Sequence, residues 1–190
     1  MFLYPHPARP NFHSMKIIAL APLLLLAACA TPDWRDASIP VTPVAGFELE
    51  RYTGDWFEIA RFPNWFEDGC SDVRTTYTPR PDGRIDVTNI CPTNASGDPT
   101  TATGVARTTD TPGALQVRFA PSWVPFAWAD YIVVWTDPDY RAAVVASPGG
   151  GSAWILAREA TPDMTLLDQA REVLGANGYD TDAMIYPVQR

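Results

Sequence analysis

The side chains that most often carry chemistry are scarce in this sequence and unevenly placed. Both histidines, His6 and His13, and the only lysine, Lys16, lie near the amino terminus, so the chain after Cys29 contains neither residue type. That part of the chain has no histidine to act as a general base or metal ligand, and no lysine to form a Schiff base. We therefore expect no catalytic residue, no metal site and no cofactor there.

The charge of the chain argues against a nucleic acid partner. The 190 residues have a formal net charge of −8. All 22 acidic side chains follow Cys29, together with 12 of the 14 basic ones, which gives that part a formal charge of −10. A surface of this sign repels phosphate backbones. The length is sufficient for one domain with a hydrophobic core.

The segment that precedes Cys29 has the pattern of a secretory signal peptide. It begins with Met15 and Lys16, and an apolar run of 12 residues from Ile17 to Ala28 follows. This run is too short to span a bilayer, and a basic start with a small-residue end is typical of a cleaved signal. We therefore expect residues 1–28 to be removed, with Met15 as the true start.

The end of the apolar run looks like a bacterial lipobox. Leu26-Ala27-Ala28 precedes Cys29, which would become the lipidated first residue of the mature protein; the alternative is an ordinary cleavage site beside an accidental cysteine. Because an aspartate after the cysteine would favour the inner membrane, Ala30 indicates an outer-membrane lipoprotein, which we expect to face the periplasm. Residues 29–47 contain three prolines and predict a tether, and residues 48–190 predict the folded domain.

Eight short runs with the period-two alternation of β-strands follow the tether. They lie at about 53–62, 71–79, 84–90, 101–109, 114–120, 128–136, 140–147 and 152–159. No connection is long enough for a parallel crossover, so the strands are predicted to run antiparallel, up and down.

The period changes after the eighth strand. Thr161-Pro162-Asp163 is a helix start signal, and apolar residues then recur at helical spacing from Met164 to Leu174. Met184-Ile185-Tyr186 predicts a short final strand. The predicted fold is all-β: an eight-stranded antiparallel up-and-down barrel with one carboxyl-terminal helix packed outside and a short closing strand.

Three short motifs stand at the ends of these strands. Gly54-x-Trp56 begins the first strand, Thr136-Asp137-Pro138-Asp139-Tyr140 forms the turn after the sixth, and Arg158 ends the eighth. With these motifs the chain resembles the lipocalin family, and within it the bacterial outer-membrane lipocalin lipoproteins. The resemblance implies that Trp56 closes one end of the barrel and that Arg158 packs across its indole.

The strand order brings the three motifs to one end of the barrel, because the first strand starts there and the eighth must finish there. The loops at the opposite, open end carry four aromatic side chains: Trp65, Phe66, Trp123 and Phe126. An aromatic rim at an open mouth suits an apolar ligand. The alternative is that these side chains are loop anchors that pack on one another.

Cys70 and Cys91 flank the hairpin of the second and third strands at the open end, and in an oxidising compartment we expect them to form a disulfide. A four-residue loop over 79–82 would place the two cysteines directly opposite each other. A two-residue Asp82-Gly83 turn would not allow the bond without a bulge. We therefore predict the longer loop together with the disulfide.

The inner face of the barrel supplies the candidate ligand-binding residues. By alternation from Trp56, Glu58 and Ala60 are predicted to face inward. The alternate side chains of this strand are predicted to face outward: Phe57, Ile59 and Arg61. The other candidates on the inner wall and at the mouth are aromatic: Tyr77, Phe119, Tyr131, Trp154, Trp65 and Trp123. For each of them core packing is the alternative, and Glu58 would either orient a polar head group or only pair with an arginine.

The resemblance implies a lipid-binding protein that carries or stores a hydrophobic small molecule, such as a fatty acid or a lysophospholipid, and is held at a membrane by its lipid anchor. Two alternatives remain open. A barrel filled by side chains would leave a protein-interaction module that uses the aromatic rim. An enzyme that modifies lipids would require a free thiol in the pocket, which the predicted disulfide removes.

Replacing Cys29 by Ser should abolish lipidation, because no other residue at the end of the apolar run offers a thiol. Two or more acyl chains anchor a protein stably in a bilayer, whereas the unmodified protein lacks this anchor. Cells that express either protein are labelled with radioactive palmitate and fractionated. The variant should be unlabelled and missing from the outer membrane; a variant that keeps the label and the location of the wild type would contradict the anchor.

Overall fold

A computed structural model describes residues 34–189 of the chain. The predicted signal peptide, the start at Met15 and the lipidated Cys29 lie outside these residues. The strands are β1 (Gly54–Arg61), β2 (Arg74–Pro79), β3 (Ile85–Cys91), β4 (Thr100–Thr108), β5 (Ala114–Arg118), β6 (Ala129–Thr136), β7 (Ala142–Ala146) and β8 (Ala153–Ala157). Each strand pairs antiparallel with the next, and β8 pairs with β1, so the predicted closed barrel is confirmed.

Two α-helices flank the strands: a single turn, α1 (Leu49–Tyr52), and the predicted helix, α2 (Met164–Ala176). The carboxylate of Asp163 caps the start of α2, since it accepts a hydrogen bond from the N–H of Thr165 at 2.8 Å. α2 packs on the outside of the barrel, mainly against β7. Among residues 34–189, no helix is long and apolar enough to cross a bilayer.

The barrel wall separates two hydrophobic layers. The outer layer lies between the sheet and α2 and includes Ile155 and Leu174. The inner layer lies inside the barrel and includes Leu115, Val133 and Leu156. Ile155 and Leu156 are neighbours in β8 but belong to different layers, as the alternation of side chains along a strand requires.

A β-bulge changes the phase of β1, and it corrects two predictions. Glu58 pairs with Leu156 of β8, but the register shifts between Glu58 and Ala60. The expectation that Ala60 faces inward and Arg61 outward is wrong: Ala60 packs in the outer layer, and Arg61 lies opposite Trp154 on the inner face. One extra residue in a strand reverses the alternation for every residue beyond it.

The predicted closing strand is reduced to a single bridge. β2 pairs with β1 only as far as Arg74, opposite Phe57, so the last residues of β1 have an unpaired edge. Ile185 occupies this edge: its carbonyl accepts from the N–H of Arg61 at 3.0 Å, and its own N–H donates to the carbonyl of Arg61 at 2.8 Å. The segment Met184-Ile185-Tyr186 therefore closes the sheet at one residue only.

Residues 34–47 lie against the barrel, although the sequence predicts a tether as far as residue 47. The N–H of Trp34 donates to the carbonyl of Gly150, in the β7–β8 loop, at 3.1 Å. Further on, the N–H of Val44 donates to the carbonyl of Val133 at 2.9 Å. The segment therefore runs along the outside of the barrel, from the open end towards α1 at the closed end.

The predicted disulfide is confirmed, but the predicted hairpin register is wrong. Cys70 and Cys91 are bonded, with their Cα atoms 5.5 Å apart. The turn does not have the predicted four-residue loop, because Pro79 pairs with Ile85. The bond forms although Cys70 and Cys91 are not directly opposite in this register; between Cys70 and β2 the chain has φ of 54° at Asp72, and the N–H of Ser71 donates to the carbonyl of Thr93 at 3.0 Å.

At the closed end, one arginine joins β8 to the segment that precedes β1. The guanidinium of Arg158 lies 3.7 Å from the centroid of the Trp56 ring, and its Nη1 donates to the carbonyl of Asp55 at 2.6 Å. Its Nη2 donates to the carbonyls of three successive residues: Arg51, Tyr52 and Thr53. Arg158 therefore covers the indole and also satisfies the carbonyls at the end of α1.

The turn between β6 and β7 is built on a buried carboxylate. Asp137 accepts hydrogen bonds from the N–H of Ala142 at 2.8 Å and from Nε of Arg141 at 3.0 Å. Burial raises the pKa of Asp137, but these bonds outweigh burial and hold the pKa below its ordinary value. The hydroxyl of Tyr140 accepts from the N–H of Glu48 at 2.8 Å, which ties this turn to the segment before β1.

Replacing Arg158 by Ala should lower the free energy of unfolding by about 2 kcal/mol, because the variant loses a cation–π contact and several carbonyl hydrogen bonds. Urea denaturation measures this change. Arg107→Ala is the matched control, since Arg107 also lies over a tryptophan, Trp128 at 4.1 Å, but on the exposed outer face. Lipid affinity should not change; a loss of affinity at unchanged stability would place Arg158 in the binding site instead.

Candidate functional site

An ionic cluster lies inside the barrel near the open end. The guanidinium of Arg61 donates to the carboxylate of Glu58 at 2.5 Å and to the backbone carbonyl of Glu67 at 2.6 Å. Its Nε lies 3.7 Å from Oε2 of Glu67. The indole N–H of Trp154 donates to the same carboxylate oxygen at 3.3 Å. All three charged side chains are buried, so two carboxylates and one guanidinium share a site almost closed to water.

The bulge and one turn assemble this cluster. Glu58 and Arg61 point to the same side of β1 only because the bulge lies between them. Glu67 comes from the β1–β2 loop, where its N–H donates to Oδ1 of Asn64 at 2.8 Å. An asparagine that accepts from the N–H three residues later is a common way to fix a turn. The loop therefore holds Glu67 beside the guanidinium of Arg61.

The charges of the cluster do not balance when both carboxylates are ionised. Burial, and then the charge of Glu67, raise the pKa of Glu58 to about 8, against the lowering effect of Arg61. With Glu58 protonated, one guanidinium faces one carboxylate and the cluster is neutral. A positive charge brought to this site would replace that proton, so the arrangement favours a cationic group over an anionic one.

Three tyrosine hydroxyls meet deeper in the barrel. The hydroxyl of Tyr131 lies 2.7 Å from that of Tyr52 and 2.5 Å from that of Tyr77. Burial raises the pKa of all three hydroxyls, so they stay neutral at ordinary pH. Below them the ring of Tyr52 packs on Trp56 with centroids 5.2 Å apart. The three tyrosines therefore form a polar floor above the filled, closed end.

Between this floor and the mouth, side chains cover the inner wall only in part. Strand pairing places small residues there: Ala102, Gly104 and Ala129. The larger inner-face residues at this level are only half-buried: Asn89, Val117 and Trp154. Oδ1 of Asn89 is buried without a hydrogen-bond partner among residues 34–189. The upper part of the inner wall thus has apolar surface that solvent reaches and one hydrogen-bond acceptor, Oδ1 of Asn89, with no partner among the described residues.

Phe119 narrows the mouth on the side of β4. A Cβ on Gly104 would lie 2.7 Å from the ring of Phe119, so the ring occupies space that only a glycine leaves free. The side chain of Phe119 is 45% exposed. It therefore lies at the entrance rather than deep inside the barrel.

The aromatic rim, defined as Trp65, Phe66, Trp123 and Phe126, surrounds the open end. Trp65 is 88% exposed and Trp123 is 81% exposed. Trp65 and Phe66 contact each other edge to face, with centroids 5.7 Å apart. The two tryptophans therefore flank the mouth and do not belong to the inner wall.

The structure divides the predicted ligand-binding residues between the inner face of the barrel and its mouth. Four of them lie on the inner face: Glu58, Tyr77, Tyr131 and Trp154. Three lie at the mouth: Phe119, Trp65 and Trp123. The sequence analysis missed three inner residues: Tyr52, Arg61 and Glu67. Among residues 34–189, no group of His, Cys, Asp or Glu side chains is arranged to hold a metal ion.

Replacing Glu58 by Gln should make the protein less sensitive to alkaline pH. A folded-state pKa raised to about 8 means that the folded protein binds a proton that the unfolded chain has lost, so stability falls as the pH rises from about 5 to 8. Glutamine stays neutral, so the variant should gain stability relative to the wild type as the pH rises through this window. Melting temperatures at pH 5, 7 and 9 measure the effect, with Glu159→Gln on the surface as control; parallel curves for wild type and Glu58→Gln would contradict the raised pKa.

The sequence and the fold can now be compared with known proteins. Residues 47–189 match the model of a family described as a lipocalin-like domain. The chain is 36% identical over 153 residues to outer membrane lipoprotein Blc of Vibrio cholerae, an alignment that covers 79% of this chain and 87% of the relative. It is 37% identical over 144 residues to temperature-induced lipocalin-1 of Arabidopsis thaliana, with coverage of 72% and 76%.

Solved structures agree with this assignment at the level of the fold. Lobster apocrustacyanin A1 superimposes with a TM-score of 0.63 at 16% identity, covering 84% of this chain and 93% of that one. Lipocalins are generally binding proteins for small hydrophobic ligands rather than enzymes. With the family model matched over the barrel and relatives above 30% identity over most of its length, the chain belongs to the lipocalin family.

Proposed function

We propose that this protein binds lipids with a single acyl chain, such as lysophospholipids or fatty acids, in the upper half of its barrel, and that it carries or stores them. One observation supports this most strongly: between the tyrosine floor and the mouth the larger inner-face residues, such as Val117 and Trp154, are only half-buried, and small residues lie among them. Apolar surface that solvent reaches inside a concave site is what a hydrophobic ligand covers with a gain in free energy.

The ionic cluster adds a preference among these lipids. A fatty acid would bring a third carboxylate to a site that already holds Glu58 and Glu67 around one Arg61. A lysophospholipid with an ammonium head group would bring the cationic group that this site favours. We therefore propose that lysophospholipids of this kind bind more tightly than fatty acids of the same chain length.

The same proposal includes a location. The relatives named outer membrane lipoprotein Blc match most of the chain, and the segment up to Cys29 has the pattern of a lipoprotein signal. We propose an outer-membrane lipoprotein that faces the periplasm. Catalysis is not part of the proposal, because the two cysteines of the barrel, Cys70 and Cys91, are consumed in a disulfide and offer no nucleophilic thiol.

Titration with a lysophospholipid should quench or shift tryptophan fluorescence, with a dissociation constant in the micromolar range, because the buried methylenes contribute about 0.8 kcal/mol each before the cost of association. Trp154→Ala should weaken binding by about tenfold, since its ring forms part of the wall. Trp128→Ala is the matched control, because Trp128 lies on the outer face between Arg107 and Arg118.

The fatty acid is titrated alongside the lysophospholipid. Glu67→Gln should narrow the difference in affinity between the two, because it leaves one carboxylate, that of Glu58, beside one guanidinium. If neither lipid binds below ~100 μM, the barrel is not a lipid carrier. A module that binds another protein through the rim would then be the better interpretation.

A further inference from the structure

The aromatic rim exposes four apolar side chains at the open end. Phe126 is fully exposed, and Trp65 and Trp123 keep more than four-fifths of their surface in contact with solvent. Contiguous exposed apolar side chains on one end of a soluble domain usually mark an interaction surface. Aromatic side chains of this kind are also the ones that are enriched at the interface between water and lipid.

Two loops at the open end carry no charge, whereas the β1–β2 loop, which carries Trp65 and Phe66, contains Glu67, Asp68 and Asp72. The β5–β6 loop, residues 119–128, contains no charged side chain, and neither does the β7–β8 loop, residues 147–152. The rest of the domain is strongly acidic, since the chain after Cys29 has a formal charge of −10. These two uncharged loops on an otherwise acidic domain are suited to approach a bilayer that repels the remainder.

The start of the described chain lies at this same end. Trp34 donates its N–H to the carbonyl of Gly150, and the guanidinium of Arg35 donates to the carbonyl of Pro148 at 2.8 Å; both acceptors belong to the β7–β8 loop. The predicted lipidated residue, Cys29, is five residues before Trp34. Five residues span at most about 18 Å even when fully extended. An acylated Cys29 would thus hold the open end, and not the closed end, next to the membrane.

We propose that the open end of the barrel docks on the surface of the lipid bilayer, with the aromatic rim inserted among the lipid head groups and the mouth opening towards the lipid. This inference uses the anchor of the proposed function but concerns a different surface from the ligand site. Insertion of uncharged aromatic side chains depends on burial of apolar area and not on ion pairing. Docking should therefore not weaken as the ionic strength rises, since salt only screens the repulsion between the acidic domain and an anionic bilayer.

The experiment reconstitutes the full lipidated protein into vesicles of phosphatidylethanolamine and phosphatidylglycerol that contain lipids brominated near the head-group end of the acyl chains. Bromine quenches only tryptophans that enter the bilayer. The protein carries Trp154→Phe throughout, so that a brominated lipid inside the barrel does not contribute through that residue. Trp65 and Trp123 should be strongly quenched, and no less at high than at low salt.

Three variants test whether the quenching comes from the rim tryptophans and depends on insertion of the rim. Replacing both Trp65 and Trp123 by Gln should remove most of the quenching while the protein stays anchored through Cys29. Trp128→Phe, on the outer face of the barrel, should leave the quenching unchanged. Phe66→Ser together with Phe126→Ser keeps both reporter tryptophans but should reduce their quenching, because the rim then inserts less deeply.

Two results would overturn the proposal. Absence of bromine quenching in the anchored protein would show that the mouth points away from the bilayer. Quenching of Trp65 and Trp123 by aqueous iodide, equal with and without vesicles, would show a rim exposed to water at the membrane surface, which suits a protein partner instead. Neither result affects the lysophospholipid titration, which depends on Trp154. The proposal of membrane docking and the proposal of ligand binding can therefore be refuted independently.

Discussion

The stacking of Arg158 on Trp56 fixes the geometry on which the remainder of the barrel depends. The guanidinium holds the end of β8, the start of β1 and the last carbonyls of α1 in one contact. Because β1 and β8 are the two strands that must meet to close the sheet, this contact determines where the barrel closes. It also places α1, and with it Tyr52, across the closed end, from where the tyrosine hydroxyl reaches Tyr131.

From that end the interior changes in character along the axis of the barrel. Large apolar and aromatic side chains fill the closed end, three neutral hydroxyls form a floor, and a charged cluster lies beside the mouth. A buried cluster of this kind is a weak source of stability, because desolvation opposes the attraction between the charges. Because folding gains little from such a cluster, its position on the inner wall supports the proposed recognition of a polar head group. In that proposal, the excess carboxylate favours a cationic head group over an anionic one.

Much of this architecture follows from the sequence, and the omissions have physical causes. Alternation and short turns predict the eight strands, and the meeting of Trp56 and Arg158 at one end follows from strand order alone. Alternation cannot predict a bulge, which depends on the partner strand, so Arg61 was assigned to the wrong face. Glu67 lies in a loop with no periodicity, and only its turn with Asn64 turns it inward. The disulfide was predictable from the compartment and from two cysteines that flank one hairpin, but Cys70 lies outside the β2–β3 ladder, so the register inferred from direct opposition of the cysteines was wrong.

The positions of the anchor, the rim and the site have a kinetic consequence if the mouth docks as proposed. A lipid with ten methylenes that leaves a bilayer through water exposes apolar surface worth about 8 kcal/mol before it reaches a protein. This free energy contributes to the barrier for transfer, but it cancels from the equilibrium between bilayer and barrel, because the tail is buried in both. Docking the mouth on lipid removes most of that barrier without changing the affinity. In the proposed arrangement, the aromatic rim and the short distance from Cys29 to the β7–β8 loop would act on the rate of ligand exchange, whereas the inner wall and the ionic cluster would act on which ligand binds.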